Sequence, residues 1–113
     1  MRPGDIYLTY FPFGDTPGSK LRPALLLTSR LGEVPEILVA YISSVVPSAL
    51  LETDIVVDPQ LDGFKSTNLK VRSAIRLHKL ATLHVSNLAR RLGSLEGPAQ
   101  AIVRQKMKIL LNL

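Results

Sequence analysis

Short apolar segments separated by turn-forming residues make up most of the chain from Asp5 to Leu95. Their alternation and composition predict strands at Asp5–Phe11, Arg22–Ser29, Glu36–Val46, Asp54–Asp58, Arg72–Leu83 and Leu88–Leu95. The third of these is long and rich in β-branched residues, which is typical of a central strand. Between the first two strands, Pro12–Ser19 is dense in proline and glycine and predicts a surface loop.

The end of the chain follows a helical period instead. Glu96-Gly97-Pro98 is typical of a helix start, because proline suits the first turn. Apolar residues then recur at helical spacing at Ala99, Ile102, Val103, Met107 and Leu110. Many short strands followed by one helix predict a mainly β (α+β) fold, a small, strongly curved antiparallel sheet or barrel with a C-terminal α-helix. The length of 113 residues predicts a single domain, residues 1–113.

The second strand begins with an arginine directly before a proline. Proline pushes the preceding residue out of the helical region, so we expect Arg22 to be extended. Pro23 lacks a backbone donor, which suits the first position of a strand. The apolar run Ala24–Leu27 is long enough for one buried strand. The sequence therefore places a cation at the edge of a core strand, just after a loop.

Composition narrows the class of protein. The sequence has no cysteine, which excludes a disulfide framework and a thiolate metal site and fits a reducing cytoplasm. The N-terminal residues form no apolar signal region, and no apolar run approaches the ~18 residues of a membrane span. We therefore expect a soluble, cytoplasmic protein with no membrane partner.

The net charge of +5 is unevenly distributed along the chain. The segment from Gly63 to Leu95 contains no acidic residue but holds seven of the fourteen basic ones. These are Lys65, Lys70, Arg72, Arg76, Lys79, Arg90 and Arg91. A segregated basic half is the electrostatic footprint of a protein with a polyanionic partner. A solvated face that happens to be basic explains the composition equally well.

The predicted strand segment Ala74–His78 has the pattern of a site. Side chains alternate between faces, so Arg76 and His78 share one face while Ile75 and Leu77 share the other. Histidine titrates near neutral pH and can accept or donate a proton, and the arginine fork matches a phosphate. The same alternation also describes the solvent face of a half-buried strand.

Other chemistry has less support in the sequence. Neither His78 nor His84 has a carboxylate nearby in the sequence or belongs to a metal-binding motif. There is no glycine-rich phosphate loop and no nucleophile-elbow signature. Metal-dependent hydrolysis and hydride transfer are therefore disfavoured, and we expect no metal and no cofactor.

RNA cleavage needs little more than the residues already named. RNA brings its own nucleophile, the 2′-hydroxyl, so a protein must hold the phosphate, stabilise added negative charge and move protons. Arg22, Arg76 and His78 would suffice if they converge. Ser43-Ser44, at the end of the predicted central strand, either offers hydroxyls to a ligand or terminates the strand.

Several segments, in this order, resemble the MazF/PemK toxins. They are Gly4-Asp5-Ile6-Tyr7, Lys20-Leu21-Arg22-Pro23-Ala24-Leu25, Ile42-Ser43-Ser44, Thr67-Asn68-Leu69-Lys70-Val71, Ser73-Ala74-Ile75-Arg76-Leu77 and Arg91-Leu92-Gly93-Ser94-Leu95. The resemblance implies an SH3-like barrel with a C-terminal helix, and a homodimer. It also implies a metal-independent endoribonuclease that cuts single-stranded mRNA, inhibits growth, and is neutralised by an antitoxin through an acidic, extended segment.

The resemblance also implies roles for individual residues. Arg22 matches the arginine that stabilises charge at the scissile phosphate, and Ser43 stands where the family usually has a threonine that contacts that phosphate. Arg76 matches the arginine that serves as proton donor in PemK-like members. His78 stands where those members carry an aspartate assigned as general base, and the loop segment Gly14–Ser19 lacks a histidine that some members have.

Two readings of the resemblance stay open at this point. In the first, the chain is the ribonuclease toxin of a type II toxin–antitoxin system, with His78 as the base. In the second, it is a catalytically weakened member that binds RNA or sequesters an antitoxin. A small barrel that binds a protein partner is a third possibility. In the RNA-binding readings, the basic residues expected at the RNA are Lys20, Lys70, Arg72 and Lys79.

Overall fold

The computed structural model describes residues 1–11 and 20–113. Its strands are β1 (Asp5–Tyr10), β2 (Leu21–Leu26), β3 (Glu36–Ser43), β4 (Asp54–Val57), β5 (Ser73–His84) and β6 (Leu88–Ser94), and its helix is α1 (Gly97–Leu111). Short 3-10 turns lie at Lys65–Thr67 and Val85–Asn87. Every predicted strand is thus present, although the second ends at Leu26 and not at Ser29, and the third ends at Ser43 and not at Val46. The predicted loop Pro12–Ser19 lies outside the described residues.

The strands form one antiparallel sheet in the order β4-β5-β3-β2-β1-β6. β3 lies in the interior of this sheet, between β2 and β5, as its apolar sequence predicts. The sheet is curled but not closed into a complete barrel, and β4 and β6 are its two edges. The prediction of a strongly curved, mainly β fold with a C-terminal helix is confirmed. Within the described ranges, no helix is long and apolar enough to cross a membrane.

The two faces of the sheet carry separate apolar clusters. One cluster includes Leu25, Ala40 and Ile75 and packs against α1 through Ala99 and Val103. We call this side the helix face. The opposite side, which we call the site face, carries Ala24, Leu26, Ile37, Val39 and Leu83 together with Phe11. On α1, Ile102 is exposed and lies outside the apolar stripe to which its spacing assigned it.

The sequence predicts Pro23 at the first position of β2, but it occupies the third. It lies opposite Leu8 of β1, while the pairing with β3 begins one residue later, at Ala24. A missing N–H is tolerated where a strand enters a ladder. Arg22, one residue earlier, is therefore extended and lies just before the β2–β3 pairing begins.

β5 is one strand with an interruption in its pairing to β3. Tyr41 lies opposite Arg76, but its neighbour Ala40 lies opposite Leu80, so residues 77–79 have no partner on β3. Extra residues of this kind bend a strand and change where its side chains project. The interruption falls on His78 and the residues beside it, just beyond Arg76, where the pairing of β5 with β4 also stops.

Candidate active site

The pairing of β5 with its two neighbouring strands determines the face of the sheet on which Arg76 and Asp54 lie. In β5, Arg76 lies between Tyr41 of β3 and Asp54 of β4. Residues directly opposite each other in an antiparallel sheet project to the same side. Tyr41 in turn lies opposite Ala24, which belongs to the cluster on the site face. Arg76 and Asp54 therefore also belong to the site face.

The same register brings two further candidates to this side. Arg22 lies two residues before Ala24 in β2, and Ser43 lies two residues after Tyr41 in β3, so alternation places both on the site face at the same end of the sheet. Their strands are neighbours, and β5 with Arg76 is the next strand along. At ~4.8 Å between strands, the backbones of β2 and β5 are about 10 Å apart. The structure thus gathers the three candidates on the site face.

Arg22 offers a guanidinium that no described residue engages. Its side chain is half-buried, and the hydrogen bond at this position is made by its backbone carbonyl, which accepts from the Thr9 hydroxyl at 3.2 Å. Thr9 is completely buried, so this bond fixes the backbone at the mouth of β2. The cation itself has no hydrogen bond or ion pair with the described part of the chain and is available to an anionic ligand.

Asp54 is a site residue that the sequence analysis did not single out. Its side chain is fully buried, and its Oδ1 accepts a hydrogen bond from Arg76 Nε at 2.9 Å. The other oxygen, Oδ2, accepts from the backbone N–H of Leu51 at 2.8 Å, while the Asp54 N–H donates to the Leu51 carbonyl at 3.0 Å. These two hydrogen bonds between Leu51 and Asp54 hold the carboxylate in place beside Arg76. The charged first residue of an otherwise apolar predicted strand was the available signal in the sequence.

His78 lies beside the same carboxylate. Its Nδ1 is 3.9 Å from Asp54 Oδ1, and its side chain is 30% exposed. This separation is too long for a direct hydrogen bond but close enough for one bridging water, or for attraction when the ring is protonated. The prediction that Arg76 and His78 share a face agrees with this geometry. The carboxylate that is absent near His78 in the sequence is supplied by β4.

Ser43 uses its hydroxyl within its own turn. The Oγ donates to the Val45 carbonyl at 2.7 Å and accepts from the Val45 N–H at 3.2 Å. This is the local bonding by which serine commonly ends a strand. To donate to a phosphate, the hydroxyl would have to leave the Val45 carbonyl. Ser43 therefore lies on the site face at the end of β3, but its proton is engaged in this structure.

The four residues expected to bind RNA are all exposed but do not form one cluster. Lys79 lies on the site face, with its Nζ 5.6 Å from the centroid of the Tyr41 ring. Lys20 directly precedes β2, and Arg72 directly precedes β5. Lys70 lines a groove elsewhere, so a single short RNA segment on the site face would not contact all four.

The groove that contains Lys70 has a volume of about 810 Å³. It is lined by Leu8, Pro23, Ser44, Asn68, Leu69, Lys70, Val71, Ser73, Arg90, Arg91 and Leu92. Leu8 and Pro23 alternate with the site-face residues Thr9 and Arg22, so the groove opens on the other side of the same end of the sheet. Asn68 supports it by donating from Nδ2 to the Leu92 carbonyl at 2.8 Å.

The seven cations of the acid-free segment differ in their partners. Three form ion pairs: Lys65 with Asp62 at 3.1 Å, Arg76 with Asp54 at 2.9 Å, and Arg91 with Asp5 at 3.3 Å. The other four have no carboxylate partner in the described ranges and are Lys70, Arg72, Lys79 and Arg90. Unpaired cations are those that can neutralise phosphates without first losing an ion pair.

No group of three or more histidine, aspartate or glutamate side chains in residues 1–11 and 20–113 could hold a metal ion.

Comparison with known proteins identifies the family. No curated protein sequence matches the chain significantly. Among solved structures, the fold matches toxin MazF-mt6 of Mycobacterium tuberculosis (22% identity, TM-score 0.75, 96% of this chain and 97% of that chain). It also matches MazF of Deinococcus radiodurans (18%, 0.71, 99% and 96%) and a mycobacterial endoribonuclease in complex with its cognate antitoxin (14%, 0.73, 100% and 96%). Residues 2–111 match the family model of the PemK-like, MazF-like toxins. The chain therefore belongs to the PemK-like, MazF-like toxin family of type II toxin–antitoxin systems.

Proposed function

We propose that this protein is a metal-independent endoribonuclease that cleaves single-stranded RNA and thereby inhibits growth. The observation that carries the proposal is the shared face of Arg22, Ser43 and Arg76, with His78 at its edge. Family membership confirms the resemblance that the sequence motifs indicated and supports this activity. The reaction would take place in the cytoplasm, on mRNA.

The chemistry follows from the position of each group. The 2′-oxygen bonds to phosphorus while the bond from phosphorus to the 5′-oxygen breaks, which leaves a 2′,3′-cyclic phosphate and a free 5′-hydroxyl. His78 takes the proton of the 2′-hydroxyl, and Arg22 stabilises the charge that develops on the phosphate oxygens. A guanidinium keeps its protons in proteins, so Arg76 would assist the leaving oxygen as a hydrogen-bond donor while solvent supplies the proton.

The test uses the purified chain and a single-stranded RNA in the presence of EDTA. We expect products with a 2′,3′-cyclic phosphate and a 5′-hydroxyl, identified by mass spectrometry. An RNA carrying one 2′-deoxynucleotide at the cleaved position should stay intact there, because its nucleophile is missing. Cleavage of that substituted RNA at the same bond would contradict the mechanism.

A catalytically weakened toxin is the second candidate function. It is favoured by His78 in place of the aspartate and by the Ser43 hydroxyl, which is bonded to Val45. This candidate predicts RNA binding without product, even at high protein concentration. Appearance of cleavage in the variant His78→Asp would then show that histidine at this position is the cause of the weakened activity.

The family also suggests two protein partners. A mycobacterial relative is known in complex with its cognate antitoxin. We propose that an antitoxin with an acidic, extended segment covers the unpaired cations of this chain, and that the chain is a homodimer. Pairing two copies would lengthen the basic surface along a single RNA strand.

The unpaired cations make a separate prediction about binding. The binding partner is a single-stranded nucleic acid in which 2′-deoxy substitution blocks cleavage. The slope of the logarithm of its binding constant against the logarithm of the salt concentration should be smaller by about 0.7 for Lys79→Gln than for wild type. Fluorescence anisotropy over a series of salt concentrations measures this slope. Lys65→Gln is the matched control, because Lys65 is already paired with Asp62 and should change the slope much less. Equal slopes for wild type and Lys79→Gln would exclude Lys79 from the RNA contact.

A further inference from the structure

One buried carboxylate lies between two of the residues proposed to act on RNA. Asp54 Oδ1 accepts from Arg76 Nε at 2.9 Å and lies 3.9 Å from His78 Nδ1. Its other oxygen is occupied by the Leu51 N–H, so the carboxylate cannot rotate without breaking that bond. Because its side chain is fully buried, Asp54 does not reach a bound RNA directly, and we expect it to act through Arg76 and His78.

For Arg76, the contact fixes the direction of the guanidinium. A guanidinium has five N–H donors, and Asp54 uses the one on Nε. The remaining four are on the terminal nitrogens and have no acceptor among the described residues. With Nε anchored to a rigid, fully buried carboxylate, the terminal fork is held in one orientation and can meet a phosphate with two parallel hydrogen bonds.

For His78, the nearby carboxylate favours one tautomer. A neutral imidazole carries its proton on one of two nitrogens, and a nearby anion favours the proton on the nitrogen that faces it. The anion lies nearest Nδ1, and the charged neighbours of His78 on its own strand are the cations Arg76 and Lys79. A proton on Nδ1 leaves the lone pair on Nε2, the form that a general base requires.

The second histidine of the chain supplies an internal contrast. His84 Nδ1 accepts a hydrogen bond from the Ser86 N–H at 3.0 Å. A nitrogen that accepts a bond cannot carry the proton, so neutral His84 has its proton on Nε2. The two histidines are thus expected to be in opposite tautomers within one molecule.

We propose that Asp54 is a positioning residue of the candidate site. It fixes the Arg76 fork and keeps the proton of neutral His78 on Nδ1, so that Nε2 can accept the proton of the 2′-hydroxyl. This role rests on the proposed ribonuclease function, but the tautomer of His78 can be measured without any RNA.

The first experiment records the ¹⁵N chemical shifts of the two histidine rings by NMR, at a pH about two units above the ordinary histidine value near 6.5. We expect a protonated Nδ1 in His78 and a protonated Nε2 in His84. In Asp54→Asn, His78 should move toward the Nε2–H form while His84 stays unchanged. A wild-type His78 with its proton on Nε2 would overturn the proposal, whether or not the variant folds.

The second experiment compares Asp54→Asn with Asp5→Asn in single-turnover and steady-state RNA cleavage. Asp5 is the matched control, because it is also a buried aspartate paired with an arginine, Arg91. For Asp54→Asn we expect kcat to fall about 100-fold with KM within about threefold of wild type, because a misplaced group costs chemistry and not binding. For Asp5→Asn we expect kcat within about threefold of wild type.

The outcomes separate the two proposals. A fall in kcat of less than about tenfold in folded Asp54→Asn would overturn the positioning role and leave the ribonuclease function standing. If wild-type protein does not cleave RNA, the function proposed above fails. The NMR measurement then still decides whether Asp54 controls the tautomer of His78.

Discussion

Replacing Arg22 with alanine is expected to lower the rate of RNA cleavage by about 10²- to 10³-fold, the usual cost of removing one donor that stabilises a developing negative charge. The same substitution should barely change the free energy of unfolding. The guanidinium has no partner in the described part of the chain, and the hydrogen bond from Thr9 goes to the backbone carbonyl, which alanine retains. Cleavage kinetics and chemical denaturation measure the two effects separately.

Two further variants control for charge in this experiment. Arg104→Ala removes one exposed cation from α1, away from the site face, and should leave the cleavage rate unchanged. Arg22→Lys keeps the charge but loses the fork, so its rate should lie between those of wild type and Arg22→Ala. Undiminished cleavage by Arg22→Ala would refute the site as assigned.

Replacing Arg76 with alanine should damage both activity and stability. Activity should fall by about 10²- to 10³-fold, because a donor to the reacting phosphate is lost. Stability should fall by about 3 kcal/mol, because the fully buried Asp54 carboxylate loses its partner. Thermal or urea unfolding gives the second quantity and distinguishes Arg76 from Arg22.

A double variant separates the two effects of Arg76. Adding Asp54→Asn to Arg76→Ala removes the unpaired buried charge, so most of the lost stability should return. Cleavage should not return, since the guanidinium is still missing. If Arg76→Ala were as stable as wild type, the Arg76–Asp54 pair would have no structural role.

Local pattern was enough to predict the strands and to select several residues of the candidate site. Alternating side chains located β1 and placed Arg76 and His78 on one face, since that relation depends on the period of a single strand. The Arg22-Pro23 pair indicated where β2 begins, because the effect of proline on its neighbour is also local. Each of these inferences needs information from one short segment.

The features that escaped prediction depend on contacts between distant segments. Asp54 joins the site because β4 pairs with β5, and nothing in the residues near His78 specifies that partner. The groove around Lys70 arises where the segment before β5 lies against β6, for instance through Asn68 and Leu92. Register between strands is set by the whole sheet and by its turns, so a single segment does not reveal it.

The unpaired residues 77–79 of β5 affect how this sequence can diverge. The two halves of the strand are held in register separately, Ser73–Arg76 by β4 and the end of β3, and Leu80–His84 by the start of β3. A residue gained, lost or exchanged at His78 or Lys79 would therefore leave the side chains of both halves on their proper faces. The sheet can keep Arg22 and Arg76 in place while the residue at position 78, the proposed proton acceptor, changes its chemical type.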